Sequence, residues 1–168
     1  RAEKRGIKTR VVHAASIVSA VMGLSGLQNY KFGRSVTVPF PENGVASRTP
    51  YEVIAENKAR NLHTLCFLDV DAEKRRYMKI REALEILLSL EDQIRRGVFT
   101  SKSLVVGISR AGAEDVVVKA GSVKDLMVYE FGDPPHILVV PSEKLHFMEA
   151  EALCILAGAP EQIKEMVK

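Results

Sequence analysis

The chain has 168 residues, of which 46% are hydrophobic and 27% charged, with no Trp and a net charge of +3. No apolar run reaches the ~20 residues that cross a bilayer, and the opening Arg1-Ala2-Glu3-Lys4-Arg5-Gly6 is too charged for a signal peptide. So small a net charge argues against nucleic acid as the main partner, which leaves a cytoplasmic protein of one compact domain or one and a part.

Arg1 to Gly6 reads as the last turn of a helix capped by Gly6, so further sequence is expected before residue 1. Ile7 to His13 alternates as a short strand does, and Ser16 is placed to N-cap a helix carrying Ile17, Val18, Val21 and Met22. A domain boundary is expected near Gly33, which divides the chain into residues 1–33 and 34–168.

A strand follows over Ser35 to Phe40, then a loop to Arg48. Thr49-Pro50-Tyr51-Glu52 predicts a helix start with Thr49 as N-cap, Pro50 at the first position and Glu52 closing a capping box. The unbroken apolar strand Thr64 to Leu68 suggests a sheet covered on both faces. A helical stripe runs from Lys79 to Arg95, with Gly97 as its terminator.

Leu104 to Ile108 is the next strand, and Val116 to Val118 follows closely enough to pair with it antiparallel. A short helix near Ser122 to Leu126, a strand from Ile137, a helix from Leu145 to Leu156 and a last helix after Pro160 complete the reading. The class is α/β, with a mixed sheet of about five strands flanked by helices.

In such sheets ligands bind beyond the carboxyl ends of strands. Three segments stand there: Ala14-Ala15-Ser16-Ile17, Leu68-Asp69-Val70-Asp71 and Ser109-Arg110-Ala111-Gly112. Ser16 offers free backbone N–H groups at a helix start, and Ala111-Gly112 lets a planar ligand approach the backbone. An ordinary N-cap, a tight turn and, for Leu68, plain core account for the same residues. The stiff loop Gly132-Asp133-Pro134-Pro135-His136 joins these segments only if the strand after it runs antiparallel.

Cys66 and Cys154 read as buried reduced thiols, and the separated His13, His63, His136 and His146 have no metal-ligand spacing. Lys74, Arg75 and Arg76 read as a solvated face, as does the cluster from Arg1 to Arg10. No Gly-x-Ser-x-Gly elbow, P-loop or Gly-x-Gly-x-x-Gly is present.

Taken in order, His13-Ala14-Ala15-Ser16-Ile17, Leu65-Cys66-Phe67-Leu68-Asp69, Ser109-Arg110-Ala111-Gly112 and Phe131-Gly132-Asp133-Pro134-Pro135-His136 resemble the diphthine synthase family. Tyr30 to Gly33, Ala72 to Met78 and Val123 to Leu126 fit the same pattern, so the resemblance covers essentially the whole chain. That family lies in the tetrapyrrole-methylase-like class of S-adenosylmethionine-dependent methyltransferases, whose two α/β domains enclose the cofactor. The resemblance implies N-methylation of a modified histidine of elongation factor 2 in diphthamide synthesis, by a homodimer. It also implies cofactor contacts from Ser16 and Ile17 in the first domain and Leu68, Ala111 and His136 in the second.

The family's N-terminal strand, glycine-rich turn and second Gly-Asp-Pro loop do not occur in these residues, so the chain is expected to hold the tail of domain one and all of domain two. A fragment of that kind is expected to be inactive alone. The compact loops resemble the archaeal form, which makes three N-methylations. Asp69, Asp133 and His136 are the candidates to accept the amine's proton. Two rivals stand beside this reading: a precorrin methyltransferase of the same class, and a non-catalytic module binding RNA through Arg1 to Arg10.

Overall fold

The computed structural model describes residues 1–10 and 14–167. Its elements in chain order are α1 (Ile17–Ser25), β1 (Val36–Val38), α2 (Thr49–Ala59), β2 (Thr64–Leu68), β3 (Val70–Asp71), β4 (Arg76–Tyr77), α3 (Ile80–Ile94), β5 (Leu104–Ser109), β6 (Val117–Ser122), α4 (Val123–Leu126), β7 (His136–Val140) and α5 (Phe147–Ala157). Five strands form one sheet in the order β1-β2-β7-β5-β6, and β3 and β4 form a separate two-stranded ribbon. β1 runs parallel to β2, whereas β7 is antiparallel to both its neighbours and β6 is antiparallel to β5.

The sheet is covered on both faces, which explains its nearly continuous apolar strands. Cys66, Leu68, Leu138 and Val140 face a core completed by Tyr51 and Ile54 of α2 and Leu84 and Leu87 of α3. Leu65, Ile137 and Val139 face the opposite core with Val21 of α1 and Ala150 and Leu153 of α5. Full burial of Leu84 or Leu87 stabilises the fold by about 1.5–3 kcal/mol each. Where α1 ends, Gly26 takes φ +71, and a Cβ there would collide with Ala152 of α5. The two helices close on each other at that point.

Several boundaries differ from the sequence reading. Residues 7–10 form no strand and have no pairing partner among the described residues, and a lone strand is not stable; the remainder of that expected strand, through His13, lies outside the described residues. β1 stops at Val38 because Pro39 has no N–H for the ladder. Thr49 is already helical, its N–H donating to Ser47 Oγ at 3.3 Å; with Arg48 as N-cap, Glu52 falls one residue past the position that closes a box, and its carboxylate pairs with Arg96 at 2.7 Å instead. α3 is ended by Arg95, itself at φ 57, two residues before Gly97. Cys66 is fully buried, its thiol pushed up to about 12 by burial, but Cys154 is only half-buried. The last expected helix is a 3-10 segment, Glu161–Met166.

Glu149 on α5 is completely buried and binds three parts of the chain together. His63 Nε2 donates to its Oε1 at 2.9 Å, with His63 Nδ1 in turn accepting the Ser142 N–H at 2.9 Å. Lys31 Nζ lies 2.7 Å from Oε2, and the N–H groups of Gln28 and His146 donate at 3.0 and 2.9 Å. Burial alone would push this carboxyl up, yet the bonds from His63, Lys31 and the two backbone groups outweigh it and hold the pKa at about 2. A carboxylate with a depressed folded pKa contributes stability above its ordinary pKa near 4.5, and loses it as pH falls towards 2. That difference corresponds to ~3 kcal/mol. Thermal melts should therefore show the parent losing stability steeply between about pH 5 and pH 2. Glu149→Gln should be ~3 kcal/mol less stable at neutral pH and less steep across that window, the remaining slope coming from carboxylates such as Glu91 and Glu82 that are also held below their ordinary pKa.

Candidate functional site

β2 leaves the sheet at Leu68 and β5 at Ser109, while β7 enters it at His136. Because β7 is antiparallel, Phe67 pairs with Ile137 and Ser109 with His136, so all three ends meet at one sheet edge. A cavity of about 310 Å³ opens there, lined by Ile17, Leu68, Asp69, Tyr77, Ala111 and His136 among others. Four of the five residues expected to contact a cofactor thus line one pocket. The fifth, Ser16, caps α1 directly beside Ile17, its Oγ accepting the Val18 N–H at 3.3 Å.

The Gly132 to His136 loop is locked to β5. Ser109 Oγ donates to the Phe131 carbonyl at 2.7 Å, and the Arg110 N–H donates to the Pro135 carbonyl at 2.9 Å. Arg110 itself turns the chain at φ 52, with its guanidinium 2.9 Å from Asp115. The Pro134-Pro135 peptide is cis. The Phe131 ring lies against His136, at 6.1 Å between centroids, and reaches back over the sheet to Gly107. Only glycine fits at that point, because a Cβ on Gly107 would overlap the ring.

His136 is nine-tenths buried. Its Nδ1 accepts the N–H of Ile80, the first residue of α3, at 3.3 Å. The helix start is thereby satisfied, and the imidazole proton is assigned to Nε2. Nε2 is the one buried side-chain polar atom without a partner among the described residues. Burial pushes the imidazole below its ordinary pKa, against the pull of the nearby Gly132 and Asp133 carbonyls, so the ring is neutral at physiological pH. His136 lines the pocket, and its unpartnered donor is available to a ligand that reaches it.

Asp69 is a corner pin. Its Oδ2 accepts from the Phe40 N–H and its Oδ1 from the Val70 N–H, both at 2.9 Å, and its carbonyl accepts from the Met78 N–H at 2.9 Å. Those bonds root the β3–β4 ribbon at the pocket. Asp133 is exposed, does not line the pocket and makes no side-chain hydrogen bond among the described residues. Among those residues no three His, Cys, Asp or Glu side chains are grouped to hold a metal ion.

The sequence reading placed Val70 in a strand-end segment without giving it a role and missed Tyr77 as a site residue; the two sit opposite each other in the ribbon and line the pocket. Two-residue strands leave no periodic signal. Its solvated charges are as expected, Lys74 pairing with Asp71 at 3.1 Å and Arg76 with Glu82 at 2.8 Å. A more open cavity of about 400 Å³ at the far sheet edge, with Lys58, Ser103 and Ser142 in its wall, holds no unpartnered buried donor.

No protein-family model matches the chain. It is 51% identical to the diphthine synthase of Methanosarcina mazei, with all of this chain and 64% of that protein covered. It is 52% identical to that of Methanococcoides burtonii, with coverages of 99% and 63%. A crystal structure of diphthine synthase superimposes with a TM-score of 0.88 at 41% identity, covering 99% of this chain and 61% of that one. The chain thus spans about three fifths of the length of these relatives. Gly107→Ala should displace the Phe131 ring that packs against His136 and lower unfolding stability by about 1–3 kcal/mol, as chemical denaturation would measure.

Proposed function

We propose that this chain, which belongs to the diphthine synthase family, forms the strand-end wall of an S-adenosylmethionine site in an enzyme that N-methylates a modified histidine of elongation factor 2. The observation that carries the reading is the unpartnered buried Nε2 of His136, in a pocket whose other walls are Ile17, Leu68 and Ala111.

The residues present suit that cofactor. The cavity lies at the lower end of the range for small-molecule sites and is mainly apolar, as a purine ring requires. Ala111, half-buried after the Arg110 turn, leaves room for a flat group against the backbone. His136 supplies the orienting hydrogen bond, and Ile17 with Leu68 excludes water. Ser16 keeps the start of α1 open beside them. When bound, the cofactor supplies a methyl group activated by its sulfonium.

In this reading His136 binds rather than accepts protons, because Nδ1 is occupied by Ile80 and Nε2 carries the proton. Asp69 holds backbone, with both carboxylate oxygens engaged. Residues 1–33 are assigned to the end of one domain and 34–168 to a second, with the enzyme working as a cytoplasmic homodimer. The exposed Ile155 and Leu156 of α5 are available for such an interface.

The test supplies methyl-labelled S-adenosylmethionine to the complete gene product, with modified elongation factor 2 or a precorrin as acceptor. Label should enter the protein alone; label in the precorrin, or in neither, would contradict the reading. His136→Ala should weaken S-adenosylhomocysteine binding by about tenfold in calorimetry, the loss of one hydrogen bond.

A further inference from the structure

The pocket has two walls of different kind. One is the end of the main sheet with its loops, carrying Leu68, Ala111 and His136; the other is the β3–β4 ribbon, which contributes Val70 and Tyr77. The ribbon's pair both lines the pocket and is open to solvent, Val70 at 48% and Tyr77 at 44% exposure, more so than Ile17 across the cavity at 37%. They are direct partners across the ribbon. A ligand seated against Leu68 and His136 therefore leaves an apolar rim, one ring and one branched aliphatic, facing whatever enters next.

We propose that Val70 and Tyr77 form the acceptor subsite, where Tyr77 stacks on the heteroaromatic ring of the modified histidine and the apolar rim keeps the amine to be methylated in its neutral form. The inference rests on the methyltransferase reading and adds to it the place of the acceptor. An amine entering an apolar environment loses hydration that its protonated form needs more, so its pKa falls. The transfer then balances without a protein base. The amine nitrogen's lone pair forms the N–C bond as the C–S bond breaks and the electron pair stays on sulfur; after transfer to a primary or secondary amine the ammonium proton leaves to water, and a third transfer gives a quaternary ammonium with no proton to release.

The charged groups around the rim agree with this. Asp71 is paired with Lys74, and Arg76 is paired with Glu82 and stacked 3.9 Å from the centroid of Phe40. Asp69 already accepts two backbone N–H groups, and Arg110 is paired with Asp115. Lys79 and Asp133 flank His136, where the Lys79 cation disfavours a second positive charge. No carboxylate on the ribbon is left to hold an ammonium at Tyr77 except exposed Glu73 at its tip.

The test compares the complete gene product with Tyr77→Ala, Tyr77→Phe and Val70→Asp. It measures S-adenosylhomocysteine binding by calorimetry and single-turnover methylation of modified elongation factor 2 across pH. Both side chains line the same cavity as the cofactor residues, so S-adenosylhomocysteine affinity is read beside the rate, and any loss of it should be several-fold smaller than the loss in kcat/KM for the protein acceptor. Tyr77→Ala should lower kcat/KM for the protein acceptor by about tenfold or more, the scale of a lost stacking contact, and Tyr77→Phe should recover most of it. Val70→Asp should move the acidic limb of the pH profile upward by about one unit, because a nearby carboxylate stabilises the ammonium form. A parental rate for Tyr77→Ala, a parental pH profile for Val70→Asp, or a parallel loss of cofactor affinity would overturn the subsite while leaving the cofactor reading intact. A parent that binds no S-adenosylhomocysteine would overturn both.

Discussion

The direction of β7 is the constraint from which the site follows. A parallel strand in the same place would put the Gly132 to His136 loop at the far edge of the sheet, away from Leu68 and Ala111. Antiparallel pairing with both β2 and β5 brings His136 beside Ser109 and Ile137 beside Phe67. Period-two alternation makes the register strict, because β7 packs Leu138 and Val140 into one core and Ile137 and Val139 into the other. A one-residue slip would exchange the faces and carry His136 out of the pocket. Register set by apolar packing thus positions a polar group.

Polar saturation gives that group its meaning. Glu149 is met by four donors, Asp69 by two backbone N–H groups on its carboxylate, and His63 by a partner on each ring nitrogen. Buried polar atoms in a folded protein are nearly always paired, so an exception calls for a reason. His136 Nε2 is that exception. The Glu149 hub also holds Gln28 and Lys31 against α5, which keeps the segment after α1, and so Ile17 at the other end of that helix, in fixed relation to the sheet.

Sequence alone disclosed the apolar strands and the larger helices, because two covered faces give continuous runs at Thr64 to Leu68 and a helical stripe at Ile80 to Leu90. It also grouped Ser16, Ile17, Leu68, Ala111 and His136 through motif order rather than geometry, and the fold brings the last four to one pocket. Strand direction was the missing piece: nothing in Ile137-Leu138-Val139-Val140 says which way it runs. The ribbon was hidden because two residues have no period, and Glu149 because a buried glutamate and a surface one look alike within Phe147–Ala157. The capping error at Thr49 is a shift of one residue, since the helix is entered from Arg48, and the Glu52 carboxylate is then taken by Arg96, distant in sequence.

The most direct measurement is a crystal structure of the complete gene product grown with S-adenosylhomocysteine. The expected density lies against Leu68 and Ala111, with a ligand acceptor atom within hydrogen-bond distance of His136 Nε2 and His136 Nδ1 still bonded to the Ile80 N–H. A ligand bound elsewhere, or one that leaves Nε2 unpaired in the occupied pocket, would contradict the assignment of this sheet edge as the cofactor wall.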